Sequence, residues 1–255
     1  MLLAVEIGNS QITFGIYEGC SLSYAAHVVT DPRLTADQYA ISLHQILDLY
    51  HVNRALLSGS IICSVVPELT APIAEAIHKL LGIQPLILGP GVRTGLNIRI
   101  DNPAQLGSDL VADAVAAIAQ FPMPCLIFDL GTATSISVLN QTGTLLGVSI
   151  CAGVGMMQEG LCSRTALLPH IDLTMPDSPI GRNTVQAMQS GLLYGAAAMI
   201  DGMADRLTET LGAPATLLAT GCYAQKVLPA CKRAFLFCDH LLLDGLRIIY
   251  EKNKK

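Results

Sequence analysis

One motif occurs twice in this chain, and it constrains the fold more than any other feature. Leu3-Ala4-Val5-Glu6-Ile7-Gly8-Asn9 lines up with Leu126-Ile127-Phe128-Asp129-Leu130-Gly131-Thr132. Each copy is an apolar strand ending in a carboxylate, followed by one apolar residue, a Gly, a small polar residue and a second strand. Residues 2–6 and 11–16 read as a tight hairpin, and the strand 125–130 begins a second antiparallel set with 134–139 and 144–150. Two such units in one chain imply a duplicated α/β architecture with a cleft between the copies. Pro122 and Pro124 interrupt the chain just before the second copy, which places the domains at 1–121 and 122–255.

Helical signals fill the rest. Thr35 and Gln38 have capping-box spacing and open a helix running to about Tyr50. Residues 55–60 read as a buried strand, Pro67 starts a helix that ends near Gly82, and 85–88 is another short strand. A Gly-rich loop follows, and Asn102-Pro103 reads as the next helix start. The second half carries helices at about 155–166, 184–211, 223–230 and 240–250, with one strand at 215–219.

Composition narrows the function classes. Half of the residues are apolar and 14% are charged, which excludes a disordered chain. A net charge of -5 with no basic run argues against nucleic acid as a partner. The stretch 130–158 has no charged residue, but Gly131, Gly143, Gly147, Gly153 and Gly155 punctuate it, so it reads as buried strands and turns and not as a membrane span. The eight cysteines form no CxxC pair and are expected to be reduced core thiols. The opening residues lack the pattern of a secretion signal, and the expected location is cytoplasmic.

A carboxylate at a strand end beside a Gly-polar turn suits phosphate chemistry. Gly8 lets the backbone approach a polyphosphate, and Asn9, Ser10 and the turn N–H groups can donate to its oxygens. Glu6 and Asp129 would hold cations that neutralise those phosphates. Taken singly, such a turn reads better as a plain hairpin with Glu6 solvated at a strand edge, and the repetition favours the phosphate reading. Asp109, near a Gly break and a helix start, could accept a hydroxyl proton during phosphoryl transfer or simply cap the helix. Gly181-Arg182-Asn183-Thr184 before a long helix offers N–H groups and hydroxyls to an anion. The six histidines, His27 among them, have no metal-ligand spacing and receive no role.

Taken together, these motifs resemble the type III pantothenate kinases over nearly the whole chain. The correspondence runs through Glu6-Ile7-Gly8-Asn9, the Gly89–Gly95 loop, Asp101-Asn102-Pro103, Gly107-Ser108-Asp109-Leu110 and Asp129-Leu130-Gly131-Thr132-Ala133-Thr134. It continues through residues 164–169, Arg182-Asn183-Thr184, 187–191 and the closing stretch 244–251. The resemblance implies two RNase H-like lobes of the actin-like ATPase type, each a mixed sheet flanked by helices with a nucleotide cleft between them. It implies transfer of the ATP γ-phosphoryl group to pantothenate, the first step of coenzyme A synthesis, by a cytoplasmic homodimer using Mg2+ and a monovalent cation, K+ or NH4+. Asp109 matches the general base and Asp129 the monovalent-cation ligand. Glu6, Ile7, Gly8, Asn9, Ser10, Gln11, Ile12 and Thr13 match the nucleotide-phosphate loop, with Gly131 and Thr132 as further ATP contacts. Ile100, Gly107, Ser108, Asp109, Leu110 and Thr184 fall on acceptor-binding positions.

Four residues depart from the family pattern. Glu6 stands for Asp, Ile100 for Tyr, Leu110 for Arg and Cys222 for Gly. Two alternatives therefore accompany the kinase expectation. One is a catalytically impaired paralogue acting as a nucleotide-binding regulatory protein, and the other is a kinase for a different small hydroxyl compound.

Overall fold

The computed structural model describes residues 1–254. In chain order its elements are β1 (Leu2–Ile7), β2 (Gln11–Glu18), β3 (Ser21–Val29), α1 (Ala36–Leu49), β4 (Gly59–Ser64), α2 (Pro67–Leu81), β5 (Leu86–Ile87), β6 (Asn97–Ile98) and α3 (Ser108–Gln120). There follow β7 (Cys125–Leu130), β8 (Ala133–Leu139), β9 (Thr144–Ala152), α4 (Val154–Arg164), α5 (Thr184–Leu211), β10 (Thr216–Thr220), α6 (Ala224–Val227), β11 (Leu236–Phe237) and α7 (Leu241–Asn253).

The chain packs as two compact units. The first holds the residues up to Leu96, Asn102–Ala119 and the chain from His240 onward; the second holds Asn97–Asp101 and Gln120–Asp239. These units differ from a contiguous division at 121/122 in the boundary itself, which falls after Ala119, and in two larger places. The C-terminal helix α7 returns to the first unit, because its apolar residues Leu242, Leu243, Leu246 and Ile249 complete that unit's core. Asn97 and Ile98 add an edge strand to the second unit through a parallel pairing with Thr144 and Leu145.

The first unit is a five-stranded sheet in the order β3-β2-β1-β4-β5. Strand β1 pairs antiparallel with β2 and parallel with β4. Its Leu2-Leu3-Ala4-Val5 run is continuously apolar because both faces are covered. Leu3, Val5 and Ile7 pack with Leu43 and Leu47 of α1 and Leu69 and Ile73 of α2. On the other face, Leu2 and Ala4 pack with Val115 of α3 and Leu246 of α7. Each such fully buried Leu, Ile or Val contributes about 1.5–3 kcal/mol. The predicted capping box is present: Gln38 N donates to Thr35 Oγ1, and Thr35 N donates to Gln38 Oε1 at 2.9 Å.

The second unit has the sheet order β11-β10-β7-β8-β9-β6. From β9 to β11 this repeats the first unit strand for strand: three antiparallel strands, then two added in parallel. The duplication inferred from two short motifs therefore extends to entire sheets. Strand β6 is the one addition, at the β9 edge.

Three local expectations shift. Residues 54–56 form a 3-10 turn capped by Asn53, and the buried strand begins only at Gly59. The Asn102-Pro103 start yields just a 3-10 turn, Pro103–Gln105, before the chain breaks at Leu106-Gly107 and α3 begins at Ser108. Strand β3 escaped the sequence reading because its outer positions mix Ser, Tyr and His with Ala and Val, as an edge strand allows.

Candidate functional site

In the first unit the candidate residues converge on the ends of β1 and β4 and the first turn of α3. Glu6 is the last carboxylate before the Gly8-Asn9-Ser10 turn. Gly8 N donates to Gln11 O at 3.0 Å, closing that turn, with Asn9 and Ser10 exposed at its tip. Ile7 and Ile12 are buried in the core beneath, so they shape the loop and offer no polar group. Thr13 lies opposite Glu6 in register and hydrogen-bonds to its carboxylate.

Asp109 occupies the first turn of α3, where the helix dipole favours an anion. Its Oδ1 is buried and accepts no hydrogen bond among the described residues. Gly107 passes so close that a Cβ there would collide with that oxygen, so the carboxylate is fitted against bare backbone. Burial pushes the Asp109 carboxyl up, and the backbone N–H groups of Leu110 and of Asp109 itself pull it partly back. The helix start is tied to β4 by Ser108, whose Oγ donates to Ser64 O at 3.1 Å. With that hydrogen engaged, the Cys63 thiol is left to donate to Ser108 Oγ at 3.2 Å. Burial pushes the thiol's pKa up, which keeps its proton in place. Leu110, next in the helix, is buried.

Glu6 is pushed up to about 7, first by burial, against the hydrogen bond from Thr13, and further by the neighbouring Asp109. The folded state therefore binds a proton more tightly than the unfolded chain between about 4.5 and 7. Stability of the ligand-free protein should be highest below that window and decline as pH rises through it. The loss is about 2–3 kcal/mol by pH 8. Chemical denaturation at pH 5 and pH 8 checks this: Glu6→Gln should remove most of the difference, and an unchanged difference contradicts it.

In the second unit Asp129 is the penultimate residue of β7, paired with Ser135 of β8 and Thr220 of β10. The turn Gly131-Thr132 is one residue shorter than its counterpart, Gly131 N donating to Ala133 O at 3.1 Å. Gly221, at the end of β10, has φ +92 and lies against the Asp129 carboxylate and the Leu130 backbone. Any side chain there would fill the space beside Asp129 Oδ1, and the positive φ disfavours one anyway. Cys222 is exposed. Ile100 is half-buried just past β6. Thr184 opens α5 as an exposed residue behind the Asn183 cap, whose side chain accepts from Gln186 N at 2.9 Å.

The candidate residues thus fall in two groups, each within its own unit: Glu6, Thr13, Ser108 and Asp109 in the first, and Asp129, Gly131 and Thr132 in the second. The reading from sequence named Gly107 but missed Cys63, Gly221 and His27. His27 was passed over because histidines were judged by metal spacing. Extending the hairpin register from Thr13 to a third strand would have found it.

The donor sets can be tested against cations. Among the described residues no three His, Cys, Asp or Glu side chains cluster as a metal cage. Asp109 adds to the cost of charging Glu6, which a cation carried on a triphosphate would relieve. Asp129 lies close against Gly221, where a side chain would collide with its carboxylate.

A model of the type III pantothenate kinase family matches residues 2–206. Type III pantothenate kinase of Moorella thermoacetica is 38% identical over 253 residues, covering 99% of this chain and 100% of its own. Among solved structures, a protein of Campylobacter jejuni described as a Baf family transcriptional activator superposes with TM-score 0.61 at 19% identity, over 98% of both chains. The inorganic polyphosphate/ATP-glucomannokinase of Arthrobacter sp. strain KM superposes with TM-score 0.51 at 14% identity, over 98% of both. At these identities the two structures speak for the fold alone, that of the sugar kinases and actin-like ATPases.

Proposed function

The chain belongs to the type III pantothenate kinase family, and from that premise we propose that it transfers the γ-phosphoryl group of ATP to the primary hydroxyl of pantothenate. The products are 4'-phosphopantothenate and ADP, and the reaction opens coenzyme A synthesis. The observation that carries the reading is the buried Asp109 Oδ1 with no hydrogen-bond partner among the described residues, a fixed acceptor awaiting a proton donor.

Asp109 takes the hydroxyl proton as the acceptor oxygen bonds to the γ-phosphorus and the bond to the β-phosphate bridging oxygen breaks. A carboxyl raised by burial is a better base than an ordinary one, provided it stays ionised at working pH. The Leu110 N–H and the helix dipole favour the ionised form against the effect of burial. Gly107 and Ser108 hold the base in place, Gly107 by close approach and Ser108 through β4. Gly8, Asn9, Ser10 and Gln11 present the phosphate loop, Ile7 and Ile12 anchor it, and Thr13 orients Glu6 toward the phosphates. Gly131 and Thr132 contact the nucleotide from the second unit. Bound Mg2+ would neutralise charge on the phosphates near Glu6, and K+ or NH4+ would do so at Asp129. Ile100, Leu110 and Thr184 contact the acceptor, the first two through apolar surface.

The protein acts on small molecules in the cytoplasm as a homodimer. No helix among the described residues is long and apolar enough to cross a membrane. The second unit leaves Leu167, Ile180 and Ile150 largely exposed, apolar surface of the kind a second copy covers. The direct test is ADP release from ATP with and without pantothenate. Turnover with another hydroxyl compound only, or ATP binding without turnover, overturns the pantothenate assignment.

A further inference from the structure

Glu6, Thr13 and His27 stand directly opposite one another on β1, β2 and β3. Residues in register across antiparallel strands share a face, with Cβ atoms roughly 4.5–5.5 Å apart. Thr13 is buried, while His27 is exposed on the edge strand. The Thr13 hydroxyl serves Glu6, and its Oγ1 lies 3.2 Å from His27 Nδ1. In the state that meets a cation-bearing triphosphate Glu6 is ionised, and an ionised carboxylate only accepts, so in that state the Thr13 hydrogen goes to Glu6. Thr13 Oγ1 is then left as an acceptor, and His27 Nδ1 must carry the hydrogen between them. The row has one direction: His27 donates to Thr13, and Thr13 donates to Glu6.

The second unit supplies an internal comparison. There the matching row is Asp129, Ser135 and Ile150. A hydroxyl residue opposite the carboxylate belongs to the repeat, whereas the imidazole is particular to the first unit.

We propose that His27 is a positioning residue for the nucleotide-phosphate site, fixing the Thr13 hydroxyl so that Glu6 is held ready for the cation-bearing triphosphate. Free of this donor, the Thr13 hydroxyl can rotate away, and the partly buried Glu6 carboxylate loses its orientation. The inference rests on the phosphate role of Glu6 set out above.

The test compares wild type, His27→Ala and His27→Gln, the last retaining an N–H donor. ATP affinity in the presence of Mg2+ is measured by calorimetry, alongside kcat and the KM for each substrate. His27→Ala should weaken ATP binding about 3- to 10-fold, the scale of one hydrogen bond. Its kcat and pantothenate KM should stay within about twofold, and His27→Gln should restore ATP affinity to within about twofold of wild type. Unchanged affinity in His27→Ala, or equal weakening in both variants, overturns the inference while the kinase reading stands. Wild-type protein that fails to bind ATP overturns both.

Discussion

Asp109→Asn should lower kcat by about 10²- to 10⁴-fold, the contribution of a positioned general base, while ATP binds nearly as before. The amide matches the carboxylate in shape, so Gly107 can still pack against it and α3 can still begin at Ser108. The lost ability is proton acceptance at a buried oxygen that has no other partner among the described residues. One negative charge also leaves the neighbourhood of Glu6, so ATP affinity should hold or rise slightly. Steady-state kinetics with calorimetric ATP binding separates these effects. A variant with wild-type kcat removes Asp109 from the base role, and one that loses ATP binding along with kcat makes it a structural residue.

The second large effect is on stability. A Cβ on Gly245 of α7 would fall onto the Ala112 carbonyl of α3, and backbone cannot yield as a side chain can. Gly245→Val should therefore force the two helices apart at a cost of about 3 kcal/mol. That lowers Tm by roughly 6–12 °C for a protein of this size. The strain falls within one turn of Asp109 on the same helix, so kcat should fall in the surviving folded protein. Thermal melts together with kinetics well below Tm check both parts. An unchanged Tm would mean that α3 and α7 do not approach as closely as described.

Much of this architecture was legible because the governing signals are local. A strand ending in a carboxylate, Gly and a polar residue identifies itself, and its recurrence at Glu6 and Asp129 foretold two sheets of matching strand order. Thr35 and Gln38 fixed the start of α1, and helix α5 appeared over the expected span, Thr184–Leu211. The misplaced pieces depended on distant contacts. Helix α7 sits in the first unit because Leu246 meets Leu2 and Ala4, far away in sequence. Strand β6 is two residues long and exists only through its pairing with β9.

The site divides along the same line. Glu6, Asp109 and Asp129 sit in recognisable motifs and could be named in advance. Cys63 could not, since its link to Ser108 spans 45 residues and depends on where β4 ends. His27 required a register across three strands. Leu110 is the instructive case. The sequence registers a missing guanidinium, and the structure adds that the replacing side chain is buried, so this first turn of α3 is closed by apolar contact.

The central claim is that this protein phosphorylates pantothenate at a site whose base is Asp109. A coupled assay for ADP formation, run with Mg2+ and K+ in the presence and absence of pantothenate, tests it most directly. ADP formation should require pantothenate, saturate with it and fall when K+ is withdrawn. Protein that binds ATP yet forms ADP at the same background rate with or without pantothenate would contradict it.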